Sequence, residues 1–296
     1  MAGGKERIAW IDAARVLAIV LIVGFHLAYA LNEDQALRPI GFVGASLFFI
    51  VSGYVLAHRY ANVDRFDSGW LKKRYVKIAS LYYPALIAMA LLFPVYTYYR
   101  GPYDLLLHFT FMNWVSHDTA FSIISAAWFI VPLAGLYVLF PFLNRFLRQI
   151  PALLFIAFAL ELANRVIVSD LVSFSPIFFL GEFCFGIALA QGEKRWWVLV
   201  AALLPALVNP VMAVPFAVFL LLWLMRERMI ALPYPAHIVA ANTFEIFLFH
   251  DAVIMVALGS WSLYGQGTAV SLANLALALV IVKFASQRVA LYFFQK

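Results

Sequence analysis

Charge is what this sequence has least of. Only 12% of its 296 residues are Asp, Glu, Lys or Arg, while 65% are hydrophobic. A soluble domain carries about 25% charged and about 45–50% apolar residues. So few charges cannot cover a surface bathed in water, so most of the chain is surrounded by lipid. Cysteine is nearly missing: Cys184 stands alone, which excludes a disulfide framework within the chain and leaves a space-filling thiol in an apolar run. No low-complexity tract, soluble repeat or basic tail occurs. There is no Walker loop, dinucleotide fingerprint or Gly-x-Ser-x-Gly elbow. No histidine–carboxylate set has metal-ligand spacing; His117 and Asp118 are merely adjacent. No metal and no permanently bound cofactor is therefore expected. The net charge of +6 reads as topology rather than as nucleic-acid binding.

What is present is a series of apolar runs of the length that crosses a hydrocarbon core of about 30 Å. They lie near 10–31, 40–58, 75–99, 126–147, 151–168, 171–191, 196–210, 211–225, 235–258 and 267–290. Asn209 and Pro210 separate two short runs, so 196–225 is either two spans or one broken segment. The pattern predicts an all-α, polytopic membrane bundle of about ten transmembrane helices, one membrane domain over 1–296. With the N-terminus inside, Arg38 and Arg100 fall outside and Arg15 and Arg165 within spans. Every other one of the 21 lysines and arginines falls inside. That asymmetry predicts both termini in the cytoplasm. Lys5, Arg7 and the Ala28-Tyr29-Ala30 run look like a cleaved signal peptide, but Asp12 and Arg15 interrupt its apolar core.

Charged groups at membrane depth cost at least about 2.5–3.5 kcal/mol each, so those that persist pair, line a wet cavity or do chemistry. Arg15 and His26 are eleven positions apart, about 1100° of helix, so they share one face about 16 Å apart along the axis. Asp12 sits one turn before Arg15 on nearly the same face. The structural reading is an interfacial ion pair and a hydrogen-bonded core histidine. The functional reading is a polar stripe. Gly41, Gly44, Ala45, Ser52 and Gly53 make the second run small enough for close helix approach. Lys72, Lys73, Arg74 and Lys77 then form a basic segment, suited to topology, to lipid headgroups or to phosphate. Glu161 and Arg165 are four apart and expected to pair. Glu182 has no local partner, and Glu245, His250 and Asp251 occupy the ninth run.

Four segments together resemble acyltransferase family 3, the polytopic membrane O-acyltransferases of bacterial envelope sugars. They are Asp12-Ala13-Ala14-Arg15 with His26 following; Phe48-Phe49-Ile50-Val51-Ser52-Gly53-Tyr54; Trp128-Phe129-Ile130 leading to Tyr137-Val138-Leu139-Phe140-Pro141; and Phe247-Leu248-Phe249-His250. Each is weak alone, but the four stand in the family's order and cover most of the chain. The family's paired arginines after the second span are Arg74 and Lys77 here, and Pro84 comes late. Leu133 and Ala134 stand where many members carry glutamate. The chain resembles the branch without an added extracytoplasmic domain.

The resemblance implies transfer of an acyl group, commonly acetyl from acetyl-CoA, to a hydroxyl of an envelope sugar, polysaccharide or glycolipid at the inner membrane. It implies His26 as general base, because a hydroxyl needs a base titrating near neutrality. Arg15, Arg74 and Lys77 would hold the donor's phosphates. Asp12 would orient Arg15, while Ser52, Tyr54, Trp128 and His250 would support the thioester site. The partners are then the bilayer, an acyl-CoA and a sugar or glycolipid. A transporter or flippase of a small anionic or glycolipid substrate also uses embedded charges, but it does not explain the four ordered segments. A purely structural envelope protein is the third reading.

Overall fold

A computed structural model describes residues 8–32, 35–63, 65–93, 99–167, 175–192, 196–228, 231–258 and 268–294. Lys5, Arg7, residues 94–98 of the third expected span and 171–174 of the sixth lie outside the described residues. Among the described residues every regular element is helical. In chain order the α-helices are α1 (Ala9–Asn32), α2 (Arg38–Arg59), α3 (Ser68–Leu92), α4 (Pro102–Phe109), α5 (His117–Ala120), α6 (Ile130–Gln149), α7 (Leu153–Ile167), α8 (Leu180–Ala190), α9 (Trp196–Ala201), α10 (Val214–Leu224), α11 (Tyr234–Ala241), α12 (Thr243–Ala257) and α13 (Thr268–Phe294).

Among the described residues, five helical stretches are long and apolar enough to cross a membrane: α1, α2, α3, Ser125–Gln149 and Ala269–Arg288. A sixth is added if α11 and α12, which meet at 85°, form one broken span. Pro176–Ala190, Val198–Leu207 and Pro210–Leu224 are shorter apolar stretches. Their shortness follows from proline, which removes an amide donor and collides with the preceding turn. Between Leu204 and Ala213 the chain winds into two short 3-10 turns, at Leu204–Leu207 and Pro210–Ala213. Asn209 caps the second, its side-chain oxygen accepting from the Val211 amide at 3.0 Å. The 196–225 segment is thus interrupted at the predicted Asn209–Pro210 junction. The third span begins earlier than hydropathy indicates, because Asp67 accepts from the Gly69 and Trp70 amides at 3.0 Å each and caps α3 through the basic segment.

The chain divides into two compact units. The first comprises Met1–Asn62, Phe146–Ala159 and Phe179–Ile246. Here α2 is the central element, packed against α1 and against α8. In lipid, helices associate through close van der Waals contact rather than through expulsion of water, so small residues mark the seams. A Cβ on Gly44 would stand 2.6 Å from the Ala18 carbonyl oxygen of α1. On the other face, a Cβ on Gly53 would stand 2.1 Å from the Phe183 carbonyl oxygen, and one on Gly186 would stand 2.1 Å from that of Ile50. The α2–α8 seam is therefore backbone against backbone from both sides. Phe49 stacks on Phe179 at 4.0 Å beside it, and Ser46 of α2 donates to Glu182 of α8 at 3.0 Å.

The second unit comprises Val63–Arg145, Leu160–Phe178 and Phe247–Lys296. Its main helix pair is α3 with α13, where the Asn274 side chain donates to the Leu92 carbonyl at 3.4 Å. α4 runs back along α3: Tyr83 donates to the Phe109 carbonyl at 2.8 Å, and Phe111 lies against Tyr75 and Tyr82. The Glu161–Arg165 pair forms as spaced, at 3.0 Å, and Arg165 also donates to the Phe178 carbonyl.

Substituting Gly53→Ala or Gly186→Ala drives a methyl group into a facing backbone. Each is expected to destabilise the protein by about 1–3 kcal/mol, as overpacked cores do. Gly24→Ala meets nothing within 4 Å and serves as the control. Thermal unfolding in detergent should separate the two classes; equal midpoints would remove this seam from the fold's foundations.

Candidate active site

In the first unit, Asp12 and Arg15 form the pair their spacing predicts: the guanidinium donates to the carboxylate at 3.2 Å. Asp12 is buried and Arg15 half-buried, so the carboxylate fixes the guanidinium while leaving part of it open. His26, near the far end of α1, is half-buried with Phe25 edge-on at 4.9 Å. The face between them is not the open polar stripe the spacing suggests. Ile19 and Ile22 occupy it and are buried, and Ile22 packs into the α2 seam where Gly44 leaves room. Both residues fall within about 40° of the Arg15–His26 line at 100° per residue, so a continuous polar groove along this face of α1 is excluded. Tyr54 is buried against Trp10 at 5.0 Å and Phe219 at 5.9 Å, and Ser52, two residues earlier on α2, is half-buried on nearly the opposite face.

In the second unit, His250 is buried on α12 and its Nδ1 lies 2.7 Å from the Phe247 carbonyl oxygen. A carbonyl only accepts, so Nδ1 carries a proton and Nε2 is the nitrogen that exchanges one. Nε2 faces an Asp251 carboxylate oxygen at 3.4 Å. The other Asp251 oxygen accepts from the Ser125 hydroxyl. Ser125 opens the 3-10 turn that carries Trp128, and Phe129 of that turn packs on Phe247 at 4.7 Å. The structure thus gathers Trp128 and His250 into one neighbourhood and adds Ser125 and Asp251. Asp251 was visible in the sequence only as an embedded charge. Ser125 carried no signal, because its partner lies 126 residues away. Arg74 is half-buried with its guanidinium 5.9 Å from the Trp70 ring centre, and Lys77 is exposed.

A further polar cluster, unpredicted, sits where α4 folds back on α3. Ser122 donates to the Thr119 carbonyl at 3.1 Å, so its oxygen accepts from His108 Nε2–H, also at 3.1 Å. Nδ1 of the ring then accepts from Tyr82 at 2.6 Å. His108 is held as the neutral ring, and burial pushes its pKa down to about 4 against backbone hydrogen bonds that raise it. Between Ser122 and Ser125 the backbone makes a γ-turn: Ile123 has φ 61° and the Ile124 amide donates to Ser122 O at 2.6 Å. A β-branched residue in that region stores about 1–3 kcal/mol. Strain of this size persists only where the surroundings hold it.

The fold and these groups define a polytopic helical membrane protein that keeps ionisable side chains between apolar helices. Residues 8–286 match the family described as Acyltransferase domain. The chain belongs to that family, and all four segments that carry the resemblance fall inside the matched region. No curated protein and no solved structure matches the chain.

His108 yields a pH prediction. Its folded pKa lies below the ordinary value of 6.5, at about 4. The neutral ring therefore contributes stability that is fully present above 6.5 and is lost as pH falls through 4. The loss across that window is at most about 3 kcal/mol, at 1.36 kcal/mol per unit. Thermal unfolding between pH 4 and 7 should show a midpoint falling with acid, and His108→Gln should flatten that slope. An unchanged slope in the variant would assign the acid response elsewhere.

Proposed function

We propose that this chain is a membrane O-acyltransferase that moves an acyl group, acetyl from acetyl-CoA, to a hydroxyl of an envelope sugar, polysaccharide or glycolipid. The observation that carries this reading is the family match over 8–286. The charge asymmetry of the sequence supports ten crossings of the inner membrane with both termini in the cytoplasm.

In the reaction His26 takes the proton of the acceptor hydroxyl. The oxygen attacks the thioester carbonyl, the C–S bond breaks, and the departing thiolate takes up a proton as coenzyme A leaves. An acetyl-histidine intermediate is the two-step variant. Arg15, held by Asp12, and the cations of the basic segment, Arg74 and Lys77, bind phosphate. Since Ile19 and Ile22 fill the α1 face between Arg15 and His26, the donor's thin arm takes a path off that face. Ser52, Tyr54 or Trp128 shapes the thioester site and donates to the developing oxyanion. His250, anchored through Nδ1 and flanked by Asp251, supports the same chemistry with its Nε2.

Purified protein in lipid nanodiscs, given radiolabelled acetyl-CoA and an envelope glycan extract, should transfer label to the glycan. His26→Ala should lower turnover by about 10²–10⁴-fold, the usual contribution of a positioned acid–base group, with the unfolding midpoint unchanged. Undiminished turnover in that variant refutes the role of His26. A wild-type protein that moves no label refutes the reaction.

A further inference from the structure

The second unit contains a groove of about 340 Å³. Its walls are two facing helix stripes. Leu71, Tyr75 and Ile78 of α3 stand opposite Val131, Ala134 and Val138 of α6. Both sets follow the spacing of one helix face, so the groove runs along the two helices rather than across them. Phe111 and Trp114, brought there by the fold-back of α4, close it further, and the small Gly135 admits Pro176, whose Cγ would stand 2.3 Å from any Cβ at that position. Almost the whole lining is hydrocarbon or aromatic ring.

Arg74 is the cation in this wall. It lines the groove, and its guanidinium carbon lies 5.9 Å from the ring centre of Trp70, one turn nearer the start of α3. Long basic side chains place themselves this way when the stem is in hydrocarbon and the head reaches the interface. Lys72, Lys73 and Lys77 are exposed on the same turns. A cation in the wall and an otherwise apolar lining fit one kind of molecule: an amphiphile with an anionic phosphate head and a hydrocarbon chain. The pantetheine arm of a coenzyme A fits poorly, because its amides would find few hydrogen-bonding partners here. An amide buried without a partner loses about 1–3 kcal/mol.

We infer that this groove is a binding site for a lipid whose phosphate head carries a net negative charge, with that phosphate on Arg74 and the chain between α3 and α6. This moves Arg74 from the donor's phosphates, which Arg15 and Lys77 are left to hold, to a lipid's phosphate. It stands on the second unit alone, whether or not acetyl-CoA is the donor.

Native mass spectrometry of the full chain in mild detergent tests it, with phosphatidic acid and phosphatidylcholine as probes. Wild-type protein should retain phosphatidic acid about fivefold more than phosphatidylcholine, since one interfacial cation contributes about 1 kcal/mol to an anionic headgroup. Arg74→Gln should erase the preference and leave the phosphatidylcholine level. Ala134→Phe, which fills the channel, should lower retention of both lipids; Val138→Trp on the same wall replaces it if that variant does not fold. Inorganic phosphate and coenzyme A at millimolar concentration should leave the lipid bound. Equal retention of the two lipids by wild type overturns the site, as does wild-type retention in both groove variants. Displacement by inorganic phosphate or by coenzyme A overturns it too, and returns Arg74 to a soluble phosphate or to the donor. The acyl-transfer assay is a separate readout, so the lipid site and the reaction can fail independently.

Discussion

An ionisable side chain between apolar helices has to find its partner inside the protein, because lipid offers none. A lone charge in that setting is several kcal/mol out of balance, while a paired or hydrogen-bonded one is tolerable. The paired groups described above obey this constraint, and their pairings tie specific helix positions together. Glu182 is held by Ser46, which ties α8 to α2 where two glycines bring the backbones together. Arg165 is shared between Glu161 and the Phe178 carbonyl. Asp12 holds Arg15, and Asp251 stands between Ser125 and His250. Replacing one partner alone would strand the other, so these pairs select one packing of otherwise interchangeable apolar faces.

The same constraint explains what could be read from the sequence. Partners one turn apart share a helix face, so Asp12–Arg15 and Glu161–Arg165 follow from spacing. The small residues of α2 announced close approach, and Gly44 and Gly53 carry it. Partners on different helices leave no local signature. Ser46 and Glu182 are 136 residues apart, and nothing near either position names the other. Hydropathy measures apolar length, but it is blind to proline breaks within a run, so runs expected to cross the membrane include the shorter Val198–Leu207 and Pro210–Leu224. Periodicity placed Arg15 and His26 on one face correctly, but it could not show that Ile19 and Ile22 fill the space between. Two polar ends on a helix face do not make a polar face.

That correction bears on mechanism. With Ile19 and Ile22 buried on this face of α1, Arg15 and His26 stand apart rather than at the two ends of one polar wall. Arg15 remains an anchored cation because Asp12 fixes it. His26 remains an imidazole at the opposite end of the helix. Any route from one to the other has to run along elements other than this face of α1.

The connection between α4 and α6, made of short helical turns, shows how such a segment can be as tightly determined as a long helix. The γ-turn at Ile123 is intrinsically unfavourable, and it is held because the residues on either side are fixed. Ser122 is locked between His108 and the Thr119 carbonyl, and Ser125 is locked to Asp251. The strained residue therefore joins two polar clusters across three positions of chain. Trp128 follows Ser125 by a single 3-10 turn, so its placement depends on both clusters. Ser122, which pairs with His108, and Trp128 are joined by the short backbone stretch through Ile123. This is why a buried neutral histidine outside the reacting groups belongs to the physical description of the site.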